Sequence, residues 1–458
     1  MVLSFYFWQI LKNWWWFFFP LIFYFPFRYF YFWWIRWEVF YKKAFRWILL
    51  EIIPPKEILK PFSAMENVFS TLWGIYDSPN WRERWCNGAL PLGCGGWISF
   101  EICSFGGEIH FFVRIPDFFR NSFESAIYSE YPDVEIIEAE DYTQKVPKDV
   151  PNEKWDLYSE DYTLARPDYY PIKTYSMFFE KPEEEKRVVE EKRLDPLNQL
   201  LEALSKLQSG EQLWLQIVCN PILETDFPWQ GEGKKEAERI ARRKVPSQPK
   251  SIFGKILDAI VSGVREVVET LISGPPAKGK KEAALELIAP ELRLTPVERE
   301  ILTAIENKLK KSAYQCWIRQ VYLCKKDEPH NFGNYRLIRG YLMGQFSTSH
   351  LNLFVYFGGT RCRIHYWLKP RRLYLRKRQR FKEYIERLPS YFPWNFKGEP
   401  PPLIKLIRYR VAPGRRATCV LSIEELATIF HLPAKVAIPT VPVVEAKRKG
   451  PPPFLPTE

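Results

Sequence analysis

The feature that most constrains this chain is a long aromatic run near its N-terminus. Between Trp14 and Ile35 the only charged residue is Arg28. A membrane-spanning helix needs about 20 apolar residues, which this run supplies. At the helical rise of about 1.5 Å per residue, Trp15 and Trp34 would lie about 28 Å apart, which matches the separation of the two aromatic belts of a bilayer. The run therefore predicts a transmembrane helix over about 14–35. The predicted interfacial tryptophans are Trp14, Trp15, Trp16, Trp33, Trp34 and Trp37.

Two other interpretations of this run stay open. A secretory signal peptide would have a basic start, a short apolar core and a small-residue cleavage site. The chain has only Lys12 as an early charge and no such site. The second interpretation is a segment that lies in the membrane interface rather than across the bilayer.

Positive charge lies on the C-terminal side of the run, at Arg36, Lys42, Lys43 and Arg46. Basic residues stay on the cytoplasmic side of a span. This predicts a single-pass protein of the cell (plasma) membrane with the bulk of the chain in the cytoplasm. Residues 37–50 mix aromatic with basic side chains and predict an interfacial helix, so that the anchor covers 1–50.

The remaining 408 of the 458 residues exceed one ordinary core and suggest two or three domains. We expect an α+β protein in which the transmembrane helix is followed by two ferredoxin-like α/β sandwich units. A linker with an amphipathic helix is inserted between them. The predicted ranges are 51–223 for the first unit, 224–290 for the linker, 251–273 for its helix, 291–433 for the second unit and 434–458 for a proline-rich tail.

A β-hairpin is predicted around Gly106-Gly107, where two runs alternate apolar and polar residues. A two-residue loop there fixes the register, because it places apolar residues opposite each other on both strands. The predicted pairs are Ile98 with Ile115, Phe100 with Val113 and Ile102 with Phe111.

Capping residues predict two further helices, each followed by a strand. Asp195 and Pro196 open one helix, and Thr295 with Glu298 form a capping box at the start of another. The strands 212–219 and 314–324 follow them, and a third helix is expected over 334–346. The repeated helix-then-strand order suggests an internal duplication. The amphipathic helix 251–273 packs on the body or on a second copy of the chain, or contacts the membrane.

Motifs for catalysis are weak. Gly274–Lys281 is close to a phosphate-binding loop, but Lys281 stands where Ser or Thr would bind magnesium, and no strand precedes the loop. His110 faces Cys103 across the hairpin, where an ordinary contact is a simpler interpretation than a catalytic pair. No dense His/Cys cluster suggests zinc. The eight cysteines lack C-x-x-C spacing and are expected to be reduced thiols. We therefore predict no enzyme activity, no cofactor and no metal.

The best candidate for binding is a basic stretch over 361–382, which has ten Lys/Arg and no Asp or Glu. Aromatic residues such as Trp367 and Tyr374 lie between the cations, a pattern that suits phosphates and unpaired bases. A solvated face or contact with anionic lipid are the alternatives. The candidate nucleic-acid or partner-binding residues are Arg361, Arg363, Lys369, Arg371, Arg372, Arg376, Lys377, Arg378 and Arg380.

Several blocks resemble the N-terminal, membrane-proximal half of conjugative DNA-transfer and type IV secretion ATPases of the coupling-protein and HerA-FtsK kind. The blocks are 50–59 (LEIIPPKEIL), 64–67 (AMEN), 107–110 (GEIH), 119–121 (FRN), 126–133 (AIYSEYPD), 170–175 (YPIKTY), 210–217 (GEQLWLQI), 424–433 (EELATIFHLP) and 451–456 (PPPFLP). These short blocks are scattered along nearly the whole chain, and their order is more specific than any single block.

The departure from this family is that the chain contains no Walker A motif, so the nucleotide-binding residues of the family have no counterpart here. The resemblance implies a membrane-anchored, non-catalytic adaptor or assembly subunit for a translocation ATPase on a separate chain, or a fragment split from such an ATPase. The alternative is a membrane-tethered nucleic-acid-binding protein that acts without a motor. DNA and a second copy of the chain are further candidate partners.

Overall fold

The structure is a computed structural model. It describes residues 46–55, 62–76, 97–178, 195–224, 229–241, 294–362, 368–387, 418–433 and 441–442, together with 12, 13, 16, 23, 24 and 27. The chain divides into two units, one made of Met1–Phe227 with Lys311–Glu458 and the other of Pro228–Lys310. No helix within the described residues is long and apolar enough to cross a membrane. Most of the predicted span 14–35, the amphipathic helix 251–273 and most of the tail lie outside them.

The larger unit is built on one sheet of nine strands, all paired antiparallel. The strand order is β4-β1-β3-β2-β6-β7-β5-β8, and β9 pairs with the part of β7 that β5 leaves open. The strands are β1 Trp47–Ile53, β2 Ile98–Phe105, β3 Glu108–Pro116, β4 Glu135–Ala139, β5 Trp155–Leu164, β6 Glu211–Ile222, β7 Ala313–Lys325, β8 Phe354–Gly359 and β9 Cys419–Ser422.

The helices flank this sheet or belong to the smaller unit. In chain order they are α1 Phe62–Trp73, α2 Arg120–Glu130, α3 Pro196–Ser205, α4 Trp229–Ile240, α5 Pro296–Leu309, α6 Leu337–Gly340, α7 Lys369–Ile385 and α8 Ile423–Ile429. The α+β class predicted from the sequence is confirmed.

The predicted hairpin is confirmed in its register. Ile102 pairs with Phe111 and Phe100 with Val113, and Gly106 and Gly107 form the turn with positive φ angles of 60° and 99°. Residues with a Cβ adopt such angles at a cost, which explains two glycines at this point.

The two predicted sandwich units share this single sheet. β6, from the predicted first unit, pairs with β7 of the predicted second unit along its whole length, from Glu211 opposite Cys324 to Ile222 opposite Ala313. Both strands are buried almost throughout. Because both faces of β6 and β7 are covered, these strands lie at the centre of a common core, and separating them would expose two apolar surfaces.

One face of the sheet carries most of the hydrophobic core, with α1, α2, α3 and α8 packed on it. The opposite face is covered by α7 and by the segment around Tyr142, Val146 and Val150. Tryptophans gather at one end of this second face, where Trp97 and Trp317 are buried beside Val218 and Trp47.

Two local predictions are wrong. The interfacial helix expected over 37–50 does not include residues 47–50, because these form the first half of β1 and pair with β3. The single helix expected over 334–346 is divided into a 3₁₀ turn at Phe332–Arg336, the short α6 and a π-helical turn at Tyr341–Gln345.

The smaller unit contributes α4 and α5. The capping box predicted at Thr295 and Glu298 is present, with each side chain bonded to the backbone of the other residue. α4 lies at the start of the segment that the sequence predicted to be a linker, so this part of 224–290 is helical.

The hairpin turn generates a stability prediction. A Cβ on Gly107 would lie 2.9 Å from the carbonyl oxygen of Ser205, on a residue with φ of 99°. Gly107→Ala should therefore lower the free energy of unfolding by more than about 1 kcal/mol. Gly340→Ala is the matched control, because a Cβ there meets nothing within 4 Å, and it should be neutral or stabilising by up to about 1 kcal/mol. Chemical denaturation measures both variants, and equal effects would contradict the turn geometry.

Candidate functional site

Most of the basic stretch forms α7. Pro370 occupies the first turn, where its missing N–H costs no hydrogen bond, and Arg, Lys, Leu and Gln fill the helix. Residues with left-handed backbone lie on either side of the helix, Leu368 with φ of 47° and Arg387 with φ of 49°. Both ends of α7 therefore carry a conformation that non-glycine residues adopt only when their surroundings enforce it.

The inner face of α7 combines aromatic packing with polar contacts. Phe381 and Tyr384 are fully buried, with ring centroids 6.4 and 5.5 Å from that of Trp214 on β6. These rings bury the apolar part of the helix against the second face of the sheet, as large aromatics do in a core.

A row of buried polar residues crosses the sheet beneath α7. Glu101 on β2 lies opposite Gln216 on β6, Gln216 opposite Arg319 on β7, and Arg319 opposite Asp161 on β5. Each of the four is at most 5% exposed. We call Glu101, Gln216, Arg319 and Asp161 the polar row. Buried charges are costly unless paired, so the row requires partners on α7.

The strongest of these partners is Arg387, directly after α7. Its Nε and Nη2 donate to the two carboxylate oxygens of Glu101 at 2.6 and 3.1 Å, and its Nη1 and Nη2 donate to those of Asp141 at 2.8 and 3.1 Å. The Arg387 side chain is 0% exposed. The planar guanidinium suits two bidentate carboxylates at once, and this double contact fixes the end of α7 to β2 and to the loop after β4.

The Glu101 carboxylate is surrounded by further donors. Ser99 Oγ and Gln216 Nε2 donate to Oε1 at 2.6 and 3.0 Å, and the Tyr142 hydroxyl donates to Oε2 at 2.6 Å. Burial raises the pKa of Tyr142 and of Tyr384 well above their ordinary value, so both hydroxyls stay protonated. The Tyr142 hydroxyl has one hydrogen and already donates it in the hydrogen bond to Glu101. The Tyr384 hydroxyl must therefore be the donor in the 2.8 Å contact between the two hydroxyls.

Two of the predicted binding residues contribute to this inner face instead. Lys377 pairs with Asp156, and Arg380 pairs with Asp161, both acids being on β5. Arg319 of the polar row donates to the backbone oxygen of Glu383 at 2.8 Å. The expectation that Lys377 and Arg380 are available to a partner is therefore wrong, because the sheet already neutralises them.

The outer face of α7 has a different composition. Arg371, Tyr374, Leu375, Arg378 and Lys382 are exposed and fall within an arc of about 100° at the helical period. We call these five residues the outer arc. Tyr374 and Leu375 are 39% and 54% exposed, and Arg378 Nη1 donates to the Tyr374 hydroxyl at 2.8 Å. The arc thus presents cations interleaved with apolar surface.

The other predicted binding residues lie around this arc or outside the description. Arg361 is exposed, and its carbonyl oxygen accepts a bond of 2.8 Å from Arg376 Nη1. Lys369 and Arg372 are partly buried in the first turn of α7, and Arg363 lies outside the described residues.

Of the predicted membrane tryptophans, Trp16 lies within the described residues. It is 58% exposed, and its Nε1 donates to the Asn13 carbonyl oxygen at 3.2 Å. Trp14, Trp15, Trp33, Trp34 and Trp37 lie outside the described residues.

The side chains considered for catalysis make ordinary contacts. His110 Nδ1 lies 2.6 Å from Glu51 Oε1, and the ring stacks on Phe112. Cys103 is buried, which raises the pKa of its thiol well above the ordinary value. A buried neutral thiol is a poor nucleophile. Across the part of the chain that the structure describes, no group of three His, Cys, Asp or Glu could hold a metal ion.

No feature of the sequence pointed to Arg387 as a functional residue, because it lies just beyond the basic stretch. Glu101 did carry a signal, because it is a charged residue inside an otherwise apolar strand, between Phe100 and Ile102. A buried carboxylate requires a cation, but nothing in the sequence indicates that this cation lies 286 positions further on.

The Arg387 contacts generate a second stability prediction. Arg387→Met removes the shared cation and leaves Glu101 and Asp141 without their bidentate partner, so the free energy of unfolding should fall by about 3–5 kcal/mol. Arg378→Met, on the exposed side of the same helix, should change it by no more than about 0.5 kcal/mol. Denaturant titration of both variants measures the difference, and a small effect at Arg387 would show that the ion pairs do not hold α7.

The same contacts generate a pH prediction. Burial alone would raise the pKa of Asp141, but the hydrogen bonds and charge of Arg387 outweigh it and hold this pKa below the ordinary value of 3.8. A depressed pKa stabilises the fold above pH 3.8, and this contribution is lost as the pH falls through the lower folded value. Melting temperatures against pH should show a smaller acid-side decline in Asp141→Asn than in the native chain. Parallel curves would contradict the assignment.

Comparison with known proteins adds no relative to this picture. No protein-family model matches the chain, and no curated protein and no solved structure matches it significantly.

Proposed function

We propose that this chain is a membrane-anchored, non-catalytic adaptor that assembles a DNA- or protein-translocating ATPase at the cytoplasmic face of the membrane. In this proposal the aromatic run 14–35 spans the bilayer, the sheet forms a rigid platform, and α7 presents the docking surface. The repeated order of α3 with β6 and α5 with β7 supports two fused ferredoxin-like units as the origin of the platform.

The observation that carries this proposal is the division of α7 into two chemically distinct faces. Carboxylates of the sheet and of the loop after β4 form ion pairs with Lys377, Arg380 and Arg387 on the inner face. Arg371, Arg378 and Lys382 remain on the outer arc. Because the inner cations hold the helix in place, the outer ones are presented on a rigid element. Binding to a rigid element loses less conformational entropy than binding to a mobile segment.

The composition of the outer arc favours a protein partner over nucleic acid. Leu375 is 54% exposed within the arc, and Leu368, just before α7, is 59% exposed. Leucines add nothing to phosphate binding but suit the apolar centre of a protein interface, and arginine and tyrosine are enriched there. The partner surface would be acidic with an apolar groove, and the motor chain of a translocation complex is the partner we infer.

The test is co-purification of the full-length, detergent-solubilised protein from its native cell, followed by mass spectrometry. Arg371→Glu, Arg378→Glu and Lys382→Glu together reverse the charge of the outer arc without touching the sheet contacts. The native chain should retain an ATPase in near-stoichiometric amount, and the triple variant should lose it. Reversal of Lys145, Lys148 and Lys206, which are exposed elsewhere, is the matched control and should leave recovery unchanged.

Nucleic-acid binding is the alternative that this experiment separates. Recovery of nucleic acid without an ATPase, with an affinity that falls steeply as salt rises, would replace the adaptor by a tethered nucleic-acid-binding protein. Equal ATPase recovery with the outer-arc variant would show that the motor docks elsewhere and would refute the role of α7.

A further inference from the structure

One arginine on the second face of the sheet is repelled by a second cation, Arg387, and forms no ion pair within the described part of the chain. Arg114, near the end of β3, is partly buried, and its guanidinium carbon lies 4.5 Å from the centroid of the Trp47 ring. The Trp47 and Trp97 ring centroids are 4.7 Å apart. Arg114 therefore lies at the edge of the tryptophan group at the end of the sheet where β1 begins.

No acceptor within the described residues forms a hydrogen bond or ion pair with Arg114. The carboxylates that act on it electrostatically, Glu101 and Asp141, both hold Arg387 in bidentate contacts. Burial, followed by repulsion from Arg387, lowers the pKa of Arg114 to about 9. A guanidinium has five N–H donors, and a buried cation without a partner is unfavourable. A bound anion would accept the hydrogen bonds for which the described residues offer Arg114 no acceptor.

The position of Arg114 indicates where such an anion comes from. Trp47, whose ring it contacts, is the first residue of β1 and directly follows the aromatic and basic residues 37–46. If these residues lie at the membrane surface, the nearest abundant anions are lipid headgroup phosphates. Guanidinium binds phosphate in a bidentate manner, and tryptophan favours the headgroup level of a bilayer.

We propose that Arg114, with Trp47 beside it, forms a binding site for the phosphate of an anionic lipid headgroup. The choice of lipid over free phosphate rests on the proposed membrane anchor. The site would orient the sheet relative to the bilayer at the point where the anchor joins β1. Lipid binding would also offset the burial and the repulsion from Arg387 that disfavour the charged form of Arg114.

The experiment uses the full-length protein in a neutral detergent and titrates three soluble probes. These are dihexanoyl-phosphatidylglycerol, dihexanoyl-phosphatidylcholine and inorganic phosphate, with binding followed by native mass spectrometry. Arg114→Gln removes the cation. Arg120→Gln is the matched control, because Arg120 lies six positions further on and is already neutralised by Glu124 and Glu138 at 2.8 and 2.7 Å.

The native chain and Arg120→Gln should bind the anionic lipid with similar affinity and the zwitterionic lipid much more weakly. Arg114→Gln should bind the anionic lipid about tenfold more weakly or worse, the loss expected for a charge-assisted bidentate contact. Without lipid, Arg114→Gln should melt at the same temperature as the native chain or higher, because burial and repulsion from Arg387 outweigh the attraction of Glu101 and Asp141 for this cation. An arginine that only stabilises the fold would show the opposite.

Two results would overturn the proposal. Equal lipid affinity in both variants would show that Arg114 is not the site, and inorganic phosphate binding as tightly as the lipid would assign the site to a free anion. Alkaline extraction of native membranes tests the proposed anchor separately. Because the lipid probes are soluble, loss of the anchor and loss of the site are distinguishable.

Discussion

The contact on which much of this structure depends is the one between Arg387 and the paired carboxylates of Glu101 and Asp141. Arg387 directly follows α7, Glu101 lies on a central strand, and Asp141 follows the edge strand β4. A single guanidinium therefore joins three parts of the chain. The backbone of Arg387 is left-handed, with φ of 49°. This unfavourable conformation directs the side chain into the sheet. With that contact in place, the remaining inner contacts of α7 follow in helical spacing.

The polar row explains why one face of the sheet is unlike the other. On the face with α1, α2, α3 and α8, the strands contribute mainly aliphatic and aromatic residues, and packing requires no specific partner. Beneath α7, the strands contribute acids, amides and an arginine, and only a helix with cations at matching positions satisfies them. Buried polar networks specify one arrangement more strictly than apolar contacts do, because a shifted helix leaves charges unpaired.

The parts of the fold that were predictable are those whose signals are local. The hairpin register follows from the glycine turn and alternating apolar residues, and the starts of α3 and α5 follow from their capping residues. β5 and α7 were not recognised as elements because their charges look solvated in the sequence. Asp156 and Asp161 on β5 are neutralised by Lys377 and Arg380, more than 200 positions away. No local sequence pattern indicates that these residues form ion pairs. The same long-range ion pairs decide which of the candidate binding residues are buried and which are exposed.

The pairing of Ile222 with Ala313 has a consequence for the segment between them. These residues are directly opposite each other on β6 and β7, so the chain leaves the sheet and returns to it at adjacent positions. The register of β6 with β7 therefore depends on the two strands themselves and not on the length of the chain between them, so sequence inserted between 223 and 312 need not shift the sheet.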